Sequence, residues 1–172
     1  NKTIPVPVTR GKIPVPSVDA AYMIDKTTGY IKLTKFTETS YEEFMQQMEE
    51  LRKQGLKDLI FDLRGNGGGF MNEAVDIADE FLDGDKLIVY TEGVNSKKRE
   101  YRCKRPGLFE KGKLILLVNE TSASASEVLA GALQDWCRAT IIGRRTFGKG
   151  LVQEQYQLRD GSAIRLTIAR YY

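Results

Sequence analysis

The chain contains no histidine, only two cysteines among its 172 residues, and a single tryptophan. Without histidine, a Ser-His-Asp triad cannot be assembled from this chain, so any serine nucleophile needs another base. Cys103 and Cys137 form no CxxC pair, and two thiols without imidazole do not make a structural zinc site, so they read as unpaired thiols. No apolar run approaches the roughly 20 residues that a membrane-spanning helix requires, and no signal peptide is visible. Charge of one sign is also scarce, since 26 Lys and Arg against 23 Asp and Glu leave +3. That balance does not predict a nucleic-acid partner. The one local excess, from Lys97 to Arg105, reads as a solvated hairpin face.

What is present is ordinary for one globular domain: 41% apolar and 28% charged residues. A chain of this size buries roughly two-thirds of its unfolded surface. Residues 1–16 mix β-branched residues with prolines, which suits an edge or linker segment. The start at Asn1 without methionine, and the end at Tyr171-Tyr172 inside a strand-like run, read as cuts from a longer protein. Tyr30 to Phe36 alternates at period two, as a strand does. Ser40 and Glu43 have the spacing of a capping box, and Tyr41, Phe44, Met45, Met48 and Leu51 follow at helical spacing up to Gly55.

Asp58 to Leu63 and Lys113 to Asn119 are short apolar runs typical of buried strands. The first leads into a glycine turn, Arg64 to Gly69, and a helix over 71–82. The second leads into a serine turn and a helix over 124–136. The segments from Lys86 and Lys98 pattern as a hairpin or two edge strands, and three further strands run from Arg138 onward. Repeated strand–turn–helix units predict an α/β domain with a largely parallel central sheet and flanking helices. Sites in such sheets form beyond the carboxyl ends of the strands, where both turns fall.

The serine turn reads TSASASE from Thr121 to Glu127. Ser124 and Glu127 fit a capping box, and the same position, a helix N-terminus, offers an exposed hydroxyl beside outward-facing amides. The two readings are compatible, and Ser122 and Ser126 compete with Ser124 as nucleophile. With histidine absent, the base is a carboxylate or a lysine kept neutral by desolvation and nearby positive potential. Lys149, between glycines in GRRTFGKGLVQ, is the candidate. Gly143 to Lys149 also has phosphate-loop spacing, but Gly150 replaces the Mg²⁺-binding hydroxyl and a strand-like pattern follows where a helix is required.

Together these segments resemble the C-terminal processing peptidases, or tail-specific proteases. DLRGNGGG (Asp62 to Gly69) is similar to the family's DLRxNxGG turn, TSASASEVLAGALQD to its nucleophile segment and GRRTFGKGLVQ to its base segment. The likeness covers nearly the whole chain, with the motifs in order; Gly67 departs from the family's frequent proline. The resemblance implies a ClpP/crotonase-like α/β protease core with Ser124 as nucleophile, Lys149 as base and Gln153 orienting the lysine. It also implies an oxyanion hole from the backbone N–H groups of Gly68 and Ala125, and no metal or cofactor. Residues 17–172 would be the catalytic core, truncated at its C-terminus, and 1–16 the end of a PDZ domain and its linker. Protein or peptide substrates, that PDZ domain of the same parent chain and a cell-envelope or periplasmic location follow from the likeness, and assembly into a homo-oligomer is left open. Three rival readings are a catalytically inactive peptide-binding scaffold, a nucleotide-binding domain and a crotonase-like acyl-thioester enzyme.

Overall fold

The computed structural model describes Ile4, Pro7 and residues 15–172, so most of the expected linker over 1–16 lies outside the described residues. The chain enters through β1 (Val18–Met23) and β2 (Thr28–Leu33), an antiparallel pair. Helix α1 (Ser40–Lys53) follows, then β3 (Asp58–Asp62), α2 (Met71–Asp79), and the hairpin β4 (Leu87–Glu92) and β5 (Arg99–Arg102). Next come β6 (Leu114–Val118), α3 (Ala125–Asp135), β7 (Thr140–Gly143), β8 (Leu151–Gln157) and β9 (Ala163–Tyr171).

The central sheet runs β1-β2-β3-β6-β7, with β2, β3, β6 and β7 parallel, as the sequence pattern predicts. A second, antiparallel sheet runs β5-β4-β9-β8. The sequence does not separate these strands from the central sheet, because both kinds read as short β-rich runs until their partners are known.

Phe44 from α1, Phe61 from β3 and Phe81 just after α2 meet with ring centroids 5.2, 5.7 and 6.0 Å apart, all fully buried. Met48 and Leu51 complete the buried stripe of α1, as its spacing predicts. The expected cap at that helix is different, however. Thr39 is the N-cap, and Ser40 is the first helical residue, its hydroxyl accepting the Thr37 N–H at 2.7 Å. The Glu43 carboxylate turns instead to Ser17 and Val18, accepting both backbone N–H groups and the Ser17 hydroxyl at 2.7–3.2 Å. A long-range anchor has joined a local one, since the other Glu43 oxygen accepts the hydroxyl of the N-cap Thr39 at 2.8 Å.

Three adjacent parallel strands set the position of the site. Asp62 on β3 lies level with Leu117 on β6, and Val118 on β6 level with Gly143 on β7. The loops after β3, β6 and β7 therefore leave from one edge of the sheet, and they carry the glycine turn, the serine turn and the Gly148-Lys149-Gly150 segment. Since Leu151–Gln157 is a strand, the helix that a phosphate loop requires is not there. Cys103 is buried and Cys137 exposed, and both thiols are free. Along the basic stretch, Lys98 and Arg102 pair with Glu100, and Arg105 with Glu80, so much of its charge is matched within the hairpin region.

Candidate active site

The glycine and serine turns are clasped together through Asn66, which is fully buried. Its Nδ2 donates to the Leu33 carbonyl at 3.0 Å, while its own carbonyl accepts the Ala123 N–H at 3.0 Å and the Ser126 hydroxyl at 2.9 Å. The Ser122 hydroxyl donates to the Leu63 carbonyl at 2.8 Å and accepts the Asn119 N–H at 3.0 Å. Asn119 Oδ1 in turn accepts the Gly65 N–H at 3.0 Å. Upstream, the Asp62 carboxylate takes the Arg64 guanidinium on both oxygens and the Tyr30 hydroxyl at 2.7 Å, fixing the start of the glycine turn. Burial and that carboxylate push the Tyr30 phenol up to about 12.

The three serines therefore have different surroundings. Ser122 and Ser126 are fully buried with their hydroxyls engaged by backbone carbonyls. Ser124 is half-buried and lines a cleft of about 710 Å³. It occupies the N-cap of α3 with φ 57° and ψ −113°, a backbone region that non-glycine residues seldom enter. Such strain costs of order 1–3 kcal/mol and gathers at functional positions. Replacing Ser124 with glycine should relieve it; net of glycine's greater entropy loss, a gain of about 1 kcal/mol is expected, or roughly 2–4 °C in Tm. Ser124→Ala, which keeps a Cβ, should show no such gain in a thermal melt.

Lys149 lines the same cleft and is also half-buried. No hydrogen bond joins its ammonium to the Ser124 hydroxyl; the two segments are joined through Glu127 instead. Glu127 Oε2 accepts the Ser124 N–H and the Lys149 N–H, each at 2.8 Å, and Oε1 accepts the Gly148 N–H at 2.6 Å. Burial raises this carboxyl's pKa, but the Thr146 hydroxyl and the three backbone N–H groups outweigh it and hold it below the ordinary range. Phe147 N–H to the Ser122 carbonyl and Tyr171 N–H to the Gly150 carbonyl, both 3.0 Å, seat the lysine loop between the serine turn and the end of β9. The Tyr171 side chain borders the cleft beside the Ser124 hydroxyl. At the far end, the Trp136 indole N–H donates to the Leu87 carbonyl at 2.8 Å and ties α3 to β4.

Of the expected oxyanion donors, the Ala125 N–H has no acceptor among the described residues. The Gly68 N–H donates to Asn66 Oδ1 at 2.9 Å. Gly68 still packs against the nucleophile turn: a Cβ built on it would lie 2.8 Å from Ser124 Cβ and 3.0 Å from Ala125 N, at a φ of +92°. Only glycine suits that combination. Gln153 is exposed on β8, just past a bulge, and does not line the cleft. The structure thus brings Ser124, Ala125, Gly68 and Lys149 together and leaves Gln153 apart. Sequence reasoning saw Glu127 only as a cap and gave Asn66 and Tyr171 no role; the Asn of DLRGN was the one available signal for Asn66.

No group of three or more potential metal ligands occurs among the described residues, and no helix among them is long and apolar enough to cross a membrane.

Comparison with known proteins defines the class first. The chain is 44% identical over 147 residues to carboxyl-terminal-processing peptidase 3, chloroplastic, of Arabidopsis thaliana, covering 84% of this chain and 28% of that protein. It is 37% identical over 168 residues to the carboxy-terminal processing protease CtpA of Bacillus subtilis, covering 98% of this chain and 36% of the relative. A solved photosystem II D1 C-terminal processing protease superposes with a TM-score of 0.81 at 34% identity, over 95% of this chain and 45% of that one. The fold is of α/β type, and these identities class the chain with the carboxyl-terminal-processing proteases. More particularly, the model of peptidase family S41 matches residues 27–172, and the chain belongs to that family. It spans between about a quarter and a half of the length of these relatives.

Proposed function

We propose that this chain is the core of a serine endopeptidase that cleaves protein substrates recognised near their C-termini, through Ser124 as nucleophile and Lys149 as general base. The observation that carries this reading is the carboxylate of Glu127, which holds the Ser124 turn and the Lys149 loop side by side at one cleft. The Lys149 amine, in its uncharged form, takes the Ser124 Oγ proton as the oxygen bonds to the substrate carbonyl carbon. The carbonyl oxygen becomes an oxyanion facing the Ala125 N–H, and competes with Asn66 for the Gly68 N–H. Each such donor is worth about 3 kcal/mol in other hydrolases. The lysine then gives its proton to the departing amine as the C–N bond breaks. Water then attacks the resulting ester as Lys149 takes its proton, and the lysine passes that proton to Ser124 Oγ as the ester C–O bond breaks, which releases the acid and restores both residues. No metal or cofactor takes part.

Gln153 enters this scheme as the residue orienting Lys149, which requires the segment from Gly148 to Gln153 to shift; the bulge between Val152 and Gln153 is a natural place for it. The PDZ domain expected before this core would capture substrate C-termini, in a protein acting in the bacterial cell envelope.

A non-catalytic peptide-binding relative is the second reading, favoured by the missing Ser124–Lys149 hydrogen bond and the occupied Gly68 N–H. Apo sites often tighten only on binding substrate. The deciding experiment incubates an unfolded model protein with this chain and with the full-length protein, each beside its Ser124→Ala variant. Cleavage by the Ser124 forms alone, with an acyl adduct on Ser124 by mass spectrometry, is expected. Inertness of the full-length protein and no adduct would establish the scaffold reading.

A further inference from the structure

The cleft extends well past the chemistry at Ser124. Ser124, Val128, Gly131 and Asp135 follow at spacings of four, three and four along α3, all lining the cleft, which puts them on one face over about 16 Å of helix. Opposite them runs β4, with Leu87 and Val89 on the lining. Gly131 is the unusual member. A glycine in mid-helix weakens the helix relative to alanine. Gly69 and Gly143 have a clear reason to be glycine, since a Cβ there would fall 1.9 or 1.8 Å from a backbone oxygen. Gly131 has helical backbone, and a Cβ there would meet nothing within 4 Å. The fold does not ask for this glycine, and the space it leaves opens into the cleft.

We infer that Gly131 is a specificity-determining residue: it keeps the cleft open for an apolar side chain, of leucine to phenylalanine size, on the substrate residue adjoining the scissile bond. The same cleft is lined by Leu87, Val89, Val128 and Ala132, which reward burial of hydrocarbon, while its one cationic lining residue, Lys149, stands beside the nucleophile turn. The nearest carboxylate toward the nucleophile, Glu127, is already engaged by three N–H groups, and Asp135 is exposed at the other end. The cleft volume lies within the roughly 300–1,000 Å³ of pockets that enclose ligands. The assignment rests on the peptidase reading for which bond is cut, but binding of the side chain does not depend on turnover.

The test therefore separates the two. Fluorescent peptides carrying Ala, Leu, Phe, Asp or Lys at either position flanking a central bond are titrated, by anisotropy, into Ser124→Ala and into Ser124→Ala/Gly131→Leu. With Gly131 present, Leu and Phe peptides should bind about tenfold or more tighter than Ala at one of the two positions, a discrimination ordinary for a few methylenes in an apolar pocket. Gly131→Leu should reduce that Leu-to-Ala ratio at least tenfold, while the thermal melt shows an intact fold. An unchanged ratio, equal loss for all peptides, or no binding by any of them overturns the inference. Cleavage by the Ser124 form with no shift in ratio rejects the Gly131 role alone; a shifted ratio without cleavage rejects the peptidase reading alone.

Discussion

Ser124→Ala and Lys149→Ala are each expected to lower kcat for peptide hydrolysis by roughly 10⁴- to 10⁶-fold, and the double variant by little more than the worse single one. Nucleophile and base work as a unit, so once one is gone the other has nothing left to do. What survives is the contribution of binding and of the proposed oxyanion donors, Ala125 foremost, since its N–H has no acceptor among the described residues. Steady-state kinetics on the four proteins of this cycle, with folding checked by circular dichroism, measures the coupling. If Lys149→Ala stays within tenfold of wild type, the base lies elsewhere. The chain has no histidine to take over, and attention would move to a carboxylate.

Glu127→Ala should have the next largest effect, and on two observables at once. Three backbone N–H groups, those of Ser124, Gly148 and Lys149, would lose their acceptor. Hydrogen bonds to a charged group are worth roughly 1.5–3 kcal/mol apiece when fully formed, and Glu127 is half-buried, so a total loss of about 2–4 kcal/mol is expected in denaturant titration. Activity should drop about 100-fold or more, because nucleophile and base are no longer held in register and small misplacements are costly. Glu127→Gln keeps the shape but turns an N–H₂ toward one of these donors, and should recover only part of either loss. The carboxyl's folded pKa lies below its ordinary value of 4.5. Its stabilisation is therefore fully present above that value and is lost as pH falls through the lower, folded pKa. Wild type should lose melting temperature in that acidic window, and Glu127→Gln should lose less there. Equal acid sensitivity of the two proteins would mean that other carboxylates dominate.

The contrast between Glu127 and Ser40 marks how far the sequence could be read. Both belong to an S-x-x-E pattern. At Ser124 the local reading held, since Ser124 and Glu127 form the expected capping box, but the other backbone N–H partners of Glu127 lie 21 and 22 residues further on. At Ser40 it missed by one residue: the N-cap is Thr39, whose hydroxyl donates to Glu43 Oε1 at 2.8 Å, while Oε2 reaches Ser17, 26 residues back. The α1 stripe, β3, β6 and the two turns were legible because each is a local pattern of apolar spacing and turn residues. Strand β1 was not: VDAAYM has little strand character, and its existence depends on pairing with β2. The division into two sheets and the clasp at Asn66 are likewise tertiary facts, made by residues distant in sequence.

The alternation of the three serines has a practical consequence for anyone searching this protein for its nucleophile by alanine scanning. Hydroxyls 122 and 126 face inward as rivets between turns, and only 124 faces the cleft. A scan that scores dead or alive would flag all three alike, since losing either rivet loosens the frame that shapes the cleft. Protease susceptibility or refolding yield, read beside activity, would sort them: two broken scaffolds and, under the proposed mechanism, one intact scaffold with nothing to attack with.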